Sequence, residues 1–140
     1  MSTLKNNIVY KVNVEIKANK YLDLLSKTSL GQRRPSDLIS IDGMLKNSNL
    51  IVSAWLGGSL VGVSRSLTDY YFCCYLSDLV VSEEFQNDGI GRKLIDLTAE
   101  QLQPNCTIVL LAAPQAMGYY PKMGFSQHTS AWVKKLPKSD

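Results

Sequence analysis

The stretch FQNDGIGRKL, residues 85–94, constrains the chain more than any other, because the hydrophobic period changes across it. Before it, YYFCCYLSDLVVS (70–82) is apolar on both faces, as a central strand must be. After it, GIGRKLIDLTAEQL (89–102) carries Ile90, Leu94, Leu97 and Leu102 along one helical stripe. Pro104 forbids continuation, and CTIVLLAA (106–113) reads as a short buried strand, so the segment is a strand–helix–strand crossover. Arg92 and Lys93 fall in the first turn of the helix, where the dipole already places positive charge. Cations are unfavourable there unless an anion is near. Gly89 and Gly91 would let successive backbone N–H groups approach that anion without a Cβ in the way. The competing interpretation is a plain connection in which Asp88 and Glu83-Glu84 compensate the charge.

The remainder of the chain supplies the frame. IVYKVNVEI (8–16) alternates like a strand, and NKYLDLLSKTSLG (19–31) has Tyr21, Leu22, Leu24 and Leu25 at helical spacing, ending near Gly31. RRPSDLISIDGMLKNS (33–48) suggests a second short helix with Pro35 in its first turn and Leu38, Ile41, Met44 and Leu45 on one face. Residues 49–56 and 59–67 read as strands joined at Gly57-Gly58, a two-residue hairpin signal. PQAMGYYPKMGF (114–125) is expected as a short helix broken at Pro121, and SQHTSAWVKKL (126–136) as a last strand. The order β α α β β β α β α β predicts an α/β (α+β) fold: a mixed, mostly antiparallel sheet with helices on both faces.

No composition shift, repeat or linker divides the 140 residues, so a single domain over 1–140 is expected. An apolar fraction of 45% with 19% charged residues fits an ordinary globular chain. The net charge of +3 comes from scattered cations, the longest runs being the pairs Arg33-Arg34, Arg92-Lys93 and Lys134-Lys135. That pattern suits a small anion and argues against nucleic acid. No apolar run approaches membrane-spanning length, so no membrane partner and a cytoplasmic location are expected. Cys73, Cys74 and Cys106 lack metal-ligand spacing; buried reduced thiols, and no metal, are the expectation.

Two phosphate motifs are absent. No GxxxxGK[ST] occurs, and Leu94 stands where a dinucleotide fingerprint needs its third glycine. A nucleotide-binding oxidoreductase is therefore disfavoured. Val81, Gln86, Gly89 and Gly91 instead spell V-x4-Q-x-x-G-x-G, and Tyr119-Tyr120-Pro121-Lys122-Met123-Gly124-Phe125 follows after the intervening helix and strand. This pair, in this order, resembles the acyl-CoA signature and the Tyr-x-x-x-Gly-Phe element of the GNAT superfamily of N-acetyltransferases. Element order fits the family from residue 8 to about 133.

The resemblance implies acetyl-CoA as the cofactor. Its pyrophosphate would lie on the turn Gln86, Asn87, Asp88, Gly89, Ile90 and Gly91, with Arg92 and Lys93 completing the helix start. The backbone of Leu79, Val80 and Val81 would pair with the pantetheine arm, where this strand and the next splay apart. Many relatives carry asparagine seven residues before the tyrosine; here that position is Ala113, and the side-chain contact to the cofactor is lost.

Amine acetylation needs a neutral amine and an acid for the departing thiolate. Tyr120 is the candidate acid, since a phenol of pKa about 10 keeps its proton at neutral pH. Simple packing at a helix end is its alternative, and Tyr119 is expected in the core. Asp78, on the face opposite Leu79 and Val81, is the candidate base, against the alternative of a structural hydrogen bond. A backbone N–H near Leu79–Val81 suits the oxyanion. Glu83 and Glu84 read as solvated turn residues, and His128 as a surface or sheet position. The acceptor would be a small-molecule or protein amine, selected around residues 18–46, where Arg33 and Arg34 would attract a carboxylate or simply lie solvated. A homodimer is compatible with the family, and a non-catalytic acyl-CoA sensor of the same fold is the alternative function.

Overall fold

A computed structural model describes residues 7–138. The elements are β1 (Val9–Val12), α1 (Ala18–Ser26), a 3-10 turn (Ser29–Arg33), α2 (Leu38–Lys46), β2 (Leu50–Leu56), β3 (Ser59–Thr68) and β4 (Cys73–Val81). A 3-10 turn (Glu83–Phe85), α3 (Ile90–Glu100), β5 (Thr107–Val109) and 3-10 turns at Pro114–Ala116 and Pro121–Met123 follow. The sheet runs β1-β2-β3-β4-β5, antiparallel except for the parallel β4–β5 pair. None of the helices among the described residues is long and apolar enough to cross a membrane.

Alternation within β2, β3 and β4 divides the core in two. On one face Tyr21, Leu24 and Leu25 of α1 and Ile41 and Leu45 of α2 pack on Ile51, Val63 and Val80. On the other, Ile90 and Leu94 of α3 pack on Val52, Ala54 and Val61. The mixed sheet with helices on both faces is thus the architecture the sequence predicts.

Five local expectations are corrected. Pro35 is not in the first turn of α2: the helix starts at Leu38 because the Asp37 carboxylate accepts from the Ser40 N–H at 2.8 Å and caps it. β4 is not apolar and buried on both faces. Leu76, Asp78 and Val80 are buried while Cys73 and Tyr75 are exposed, because α3 lies over β2 and β3 rather than over the first residues of β4. Of the cysteines only Cys74 is buried; Cys73 is exposed and Cys106 partly so, all with free thiols. Residues 126–136 form no strand, and Trp132, Val133 and Leu136 are exposed. The helix expected over 114–125 is reduced to two 3-10 turns separated around Gly118.

β4 also carries an irregularity that shapes the site. Arg65 of β3 opposes Asp78, yet the next residue, Ser66, opposes Leu76, so Ser77 is an extra, bulged residue.

Candidate active site

The glycine bend is built by backbone conformation. Asn87 and Gly89 both lie in the left-handed region, at φ 71 and 82 degrees. A side chain with a Cβ is disfavoured at Gly89, and asparagine tolerates Asn87's position better than most residues other than glycine. The first helical bond of α3 runs from the Lys93 N–H to the Gly89 carbonyl at 3.1 Å, and no side chain caps Gly89. The N–H groups of Ile90, Gly91 and Arg92 therefore have no intrahelical acceptor and present the positive end of the dipole. Gln86 anchors the bend: its Nε2 donates to the Val81 carbonyl at 3.0 Å.

The parallel pairing of β4 with β5 covers only Cys73–Tyr75 against Thr107–Val109. Beyond Tyr75 the strands part, leaving that edge of β4 without a ladder partner among the described residues. The gap is a cleft of about 620 Å³. Leu76, Ser77, Leu79 and Val81 of β4 form one wall, and Leu110, Leu111 and Ala113 the other. Gln86, Asn87, Gly89, Ile90, Gly91 and Arg92 close one end, and Ser29, Leu30 and Arg34 also line the space. Of the residues expected around the cofactor, Val80, Asp88 and Lys93 fall outside this lining. The Val80 side chain belongs to the α1/α2 core, while Ile90 reaches the cleft at the helix start with its side chain buried against the sheet.

Tyr119 and Tyr120 both enter the cleft. Gly124, at φ 87 degrees, turns the chain back so that the Phe125 N–H reaches the Tyr120 carbonyl at 3.2 Å. The Tyr120 ring is then held edge-on between Tyr119 (5.3 Å between centroids) and Phe125 (5.6 Å). This explains the Tyr-x-x-x-Gly-Phe spacing: a short turn, a left-handed glycine and a returning aromatic that clamps the tyrosine. Burial pushes the Tyr120 phenol up from its ordinary pKa, with a further push from Tyr119. Tyr119 is not core. It is 41% exposed, and its hydroxyl lies against the start of α3, where a Cβ on Gly91 would strike it. Burial raises its pKa too, opposed by the nearby Arg92 charge.

Asp78 sits behind the cleft wall, wholly buried. Its Oδ1 accepts from Arg34 Nε at 2.7 Å and Ser77 Oγ at 3.2 Å. Its Oδ2 accepts from Arg65 Nε at 2.7 Å and the Tyr21 hydroxyl at 2.5 Å. Burial alone would raise its pKa, but the Arg65 hydrogen bond and charge, the Tyr21 hydrogen bond and the Arg34 charge hold it below the usual range. Tyr21, buried against a carboxylate, is pushed well above 10.0. Arg65 and Tyr21 do not stand out as site residues from sequence alone. The available signal was a charge in the middle of each of two adjacent apolar strands, Arg65 and Asp78, which is stable only if the two meet. Glu83 and Glu84 are exposed in their turn. His128 is exposed and accepts from the Ser130 N–H at 3.1 Å, away from the cleft lining.

Known proteins resemble this chain in sequence and in fold. The family model described as "Acetyltransferase (GNAT) domain" matches residues 36–135. The "Uncharacterized N-acetyltransferase ycf52" of Pyropia yezoensis is 30% identical over 124 residues, spanning 81% of this chain and 70% of that protein. Its namesake from Gracilaria tenuistipitata var. liui is 32% identical over 123 residues, spanning 81% and 68%. The solved acetyltransferase of the GNAT family from Streptococcus pneumoniae superposes with a TM-score of 0.72 over 92% of this chain and 99% of its own, at 21% identity, a likeness of fold. The chain belongs to the GNAT family of acetyltransferases.

Proposed function

We propose that the protein moves an acetyl group from acetyl-CoA to a primary amine by direct transfer, in the cleft where β4 parts from β5. One observation carries this: a single continuous cleft joins the unpartnered N–H groups at the start of α3 to the Tyr120 phenol. A diphosphate on Ile90, Gly91 and Arg92 would satisfy the orphan donors and neutralise the Arg92 side chain. The free edge of β4 at Leu79 and Val81 suits the amide-bearing arm of coenzyme A, which would add to the sheet as a short strand does. The loss of the family's asparagine at Ala113 leaves this wall apolar.

In the transfer step the amine nitrogen attacks the acetyl carbonyl carbon, the C–N bond forms, and the C–S bond breaks. The departing thiolate takes the Tyr120 proton, and the new ammonium centre gives up its own proton, which restores the phenol. The raised pKa of Tyr120 keeps that proton in place at neutral pH.

Asp78 changes role in this reading. A carboxylate already bound by two guanidiniums, a phenol and a serine, and held low in pKa, is a poor proton acceptor. It acts instead as a positioning residue that fixes Arg34 and the Ser77 bulge. Among the described residues no carboxylate or imidazole lines the cleft. The amine therefore enters in its neutral form. That same absence favours the second reading, a non-catalytic acyl-CoA-binding module.

Release of free thiol from acetyl-CoA, followed with and without a panel of amines, separates the two. Amine-dependent release supports the enzyme. Tight coenzyme A binding with no release from any amine supports the module, and no coenzyme A affinity overturns both.

A further inference from the structure

The charges around Arg34 do not balance. Arg34 and Arg65 share a single carboxylate, Asp78, and the four ion pairs among the described residues give neither arginine another acid. Tyr21 contributes no charge. The cluster thus carries a surplus positive charge at a site where Arg65 is buried and the Arg34 side chain is 19% exposed. Of the two, Arg34 alone opens on the cleft, whose lining among the described residues contains Arg34, Arg92 and Lys122 but no acidic side chain.

The hydrogen bonds define what the exposed part of Arg34 offers. Nε is committed to Asp78, Nη2 gives one hydrogen to the Ser77 carbonyl at 2.7 Å, and Nη1 gives one to the Arg33 carbonyl at 2.9 Å. Each terminal nitrogen keeps a second hydrogen without an acceptor among the described residues. The guanidinium is immobilised by its bonds to Asp78 and Ser77, so its orientation is set before any ligand arrives. Arg33, the other arginine of the pair, is exposed and outside the cleft.

Position along β4 separates this cation from the α3 start. Arg34 grips Ser77, and the strand runs about 13 Å from Ser77 to Val81 before the glycine bend begins. From these facts we infer that Arg34 is the anchor of an acceptor subsite, and that the amine acetylated carries a carboxylate which Arg34 binds. Among the described residues a polycationic amine meets only like charge in this cleft. The inference rests on the acetyl-transfer reading for the word "acceptor", but the subsite can be tested apart from turnover.

The test uses matched amines: amino acids, the same compounds as carboxamides, and the amines left when the carboxylate is removed. Thiol release from acetyl-CoA by the protein should show kcat/KM roughly ten- to a hundredfold higher for the carboxylate member of the preferred set. In Arg34→Met that ratio should collapse towards unity, mainly through KM, and Arg34→Lys should restore only part of it. Equal use of carboxylate and neutral members by the unmodified protein overturns the inference while leaving acetyl transfer intact. If no amine is turned over, calorimetric titration of the same compounds into the coenzyme A-saturated protein decides the subsite. Binding confined to carboxylates supports it even as the catalytic reading fails. Indifference to the carboxylate, or no binding, overturns it. Should Arg34→Met not fold, the matched comparison on the unmodified protein still decides.

Discussion

Tyr120 and Asp78 both carry acidic hydrogens or their absence, yet their surroundings drive them in opposite directions. Tyr120 is raised by burial between aromatic rings, so it stays a proton donor through the neutral range. Tyr120→Phe keeps the ring and both edge-on contacts. It should lower kcat by about a hundredfold, within the usual range for a lost general acid, while KM for acetyl-CoA and the melting temperature hold. Stopped-flow thiol detection and thermal unfolding measure the two halves; unchanged turnover removes the acid role. Asp78 is lowered, so its stabilising effect exists above the unfolded carboxyl pKa of about 3.9 and disappears as pH falls through the still lower folded value. Asp78→Asn leaves two guanidiniums facing a neutral amide in a buried site. A loss of roughly 3–5 kcal/mol is expected near neutral pH. Urea unfolding at neutral pH and at pH about 3 checks this: the gap between Asp78→Asn and the unmodified protein should narrow in acid.

The βα unit at 70–102 is the element best legible in the sequence, because one change of hydrophobic period and two glycines specify strand, bend and helix together. Prediction at this scale concerns the bend. Gly89→Ala places a Cβ at φ 82 degrees, which costs about 1–2 kcal/mol locally and tends to rotate the free N–H groups out of convergence. Coenzyme A affinity should fall by more than tenfold, read by calorimetry, while the far-UV spectrum holds. Retained affinity would mean that the anion is held elsewhere. What stayed illegible here were features set by tertiary pairing. The Ser77 bulge leaves no local mark, since it exists only in register with β3. Tyr119 reads as a core residue by composition, but it lies over Gly91 because the returning chain at 114–125 docks onto the α3 start, a long-range contact that no periodicity encodes. The Asp78 cluster joins α1, Arg34 just after the first 3-10 turn, β3 and β4, and only the fold brings them together.

At the scale of the whole molecule, the sheet is unevenly fastened. β2, β3 and β4 are joined over nearly their full lengths, whereas β5 is held by three residue pairs. The segment 126–136 reads as a strand from its residues but joins no sheet, so alternation alone overstates the sheet wherever no edge is offered in register. This imbalance places the cleft between a firm half and a lightly held one. A ligand touching both the β4 edge and the wall from Leu110 to Ala113 bridges the weakest seam of the fold. It binds a geometry that exists only when that seam is closed, so it stabilises the native state by mass action. At a hundredfold excess over its dissociation constant, coenzyme A should add about 2.7 kcal/mol and raise the melting temperature by roughly 6–12 °C. Amide exchange should slow most in β5 and the α3 start, rather than in β2 and β3, where protection is expected to follow global unfolding already. NAD at the same concentration should leave both readouts unmoved, because the bend lacks the third glycine that a dinucleotide fold uses to bring helix against strand. Equal stabilisation by NAD would show that the bend selects any diphosphate, and that the β4 edge contributes nothing to recognition.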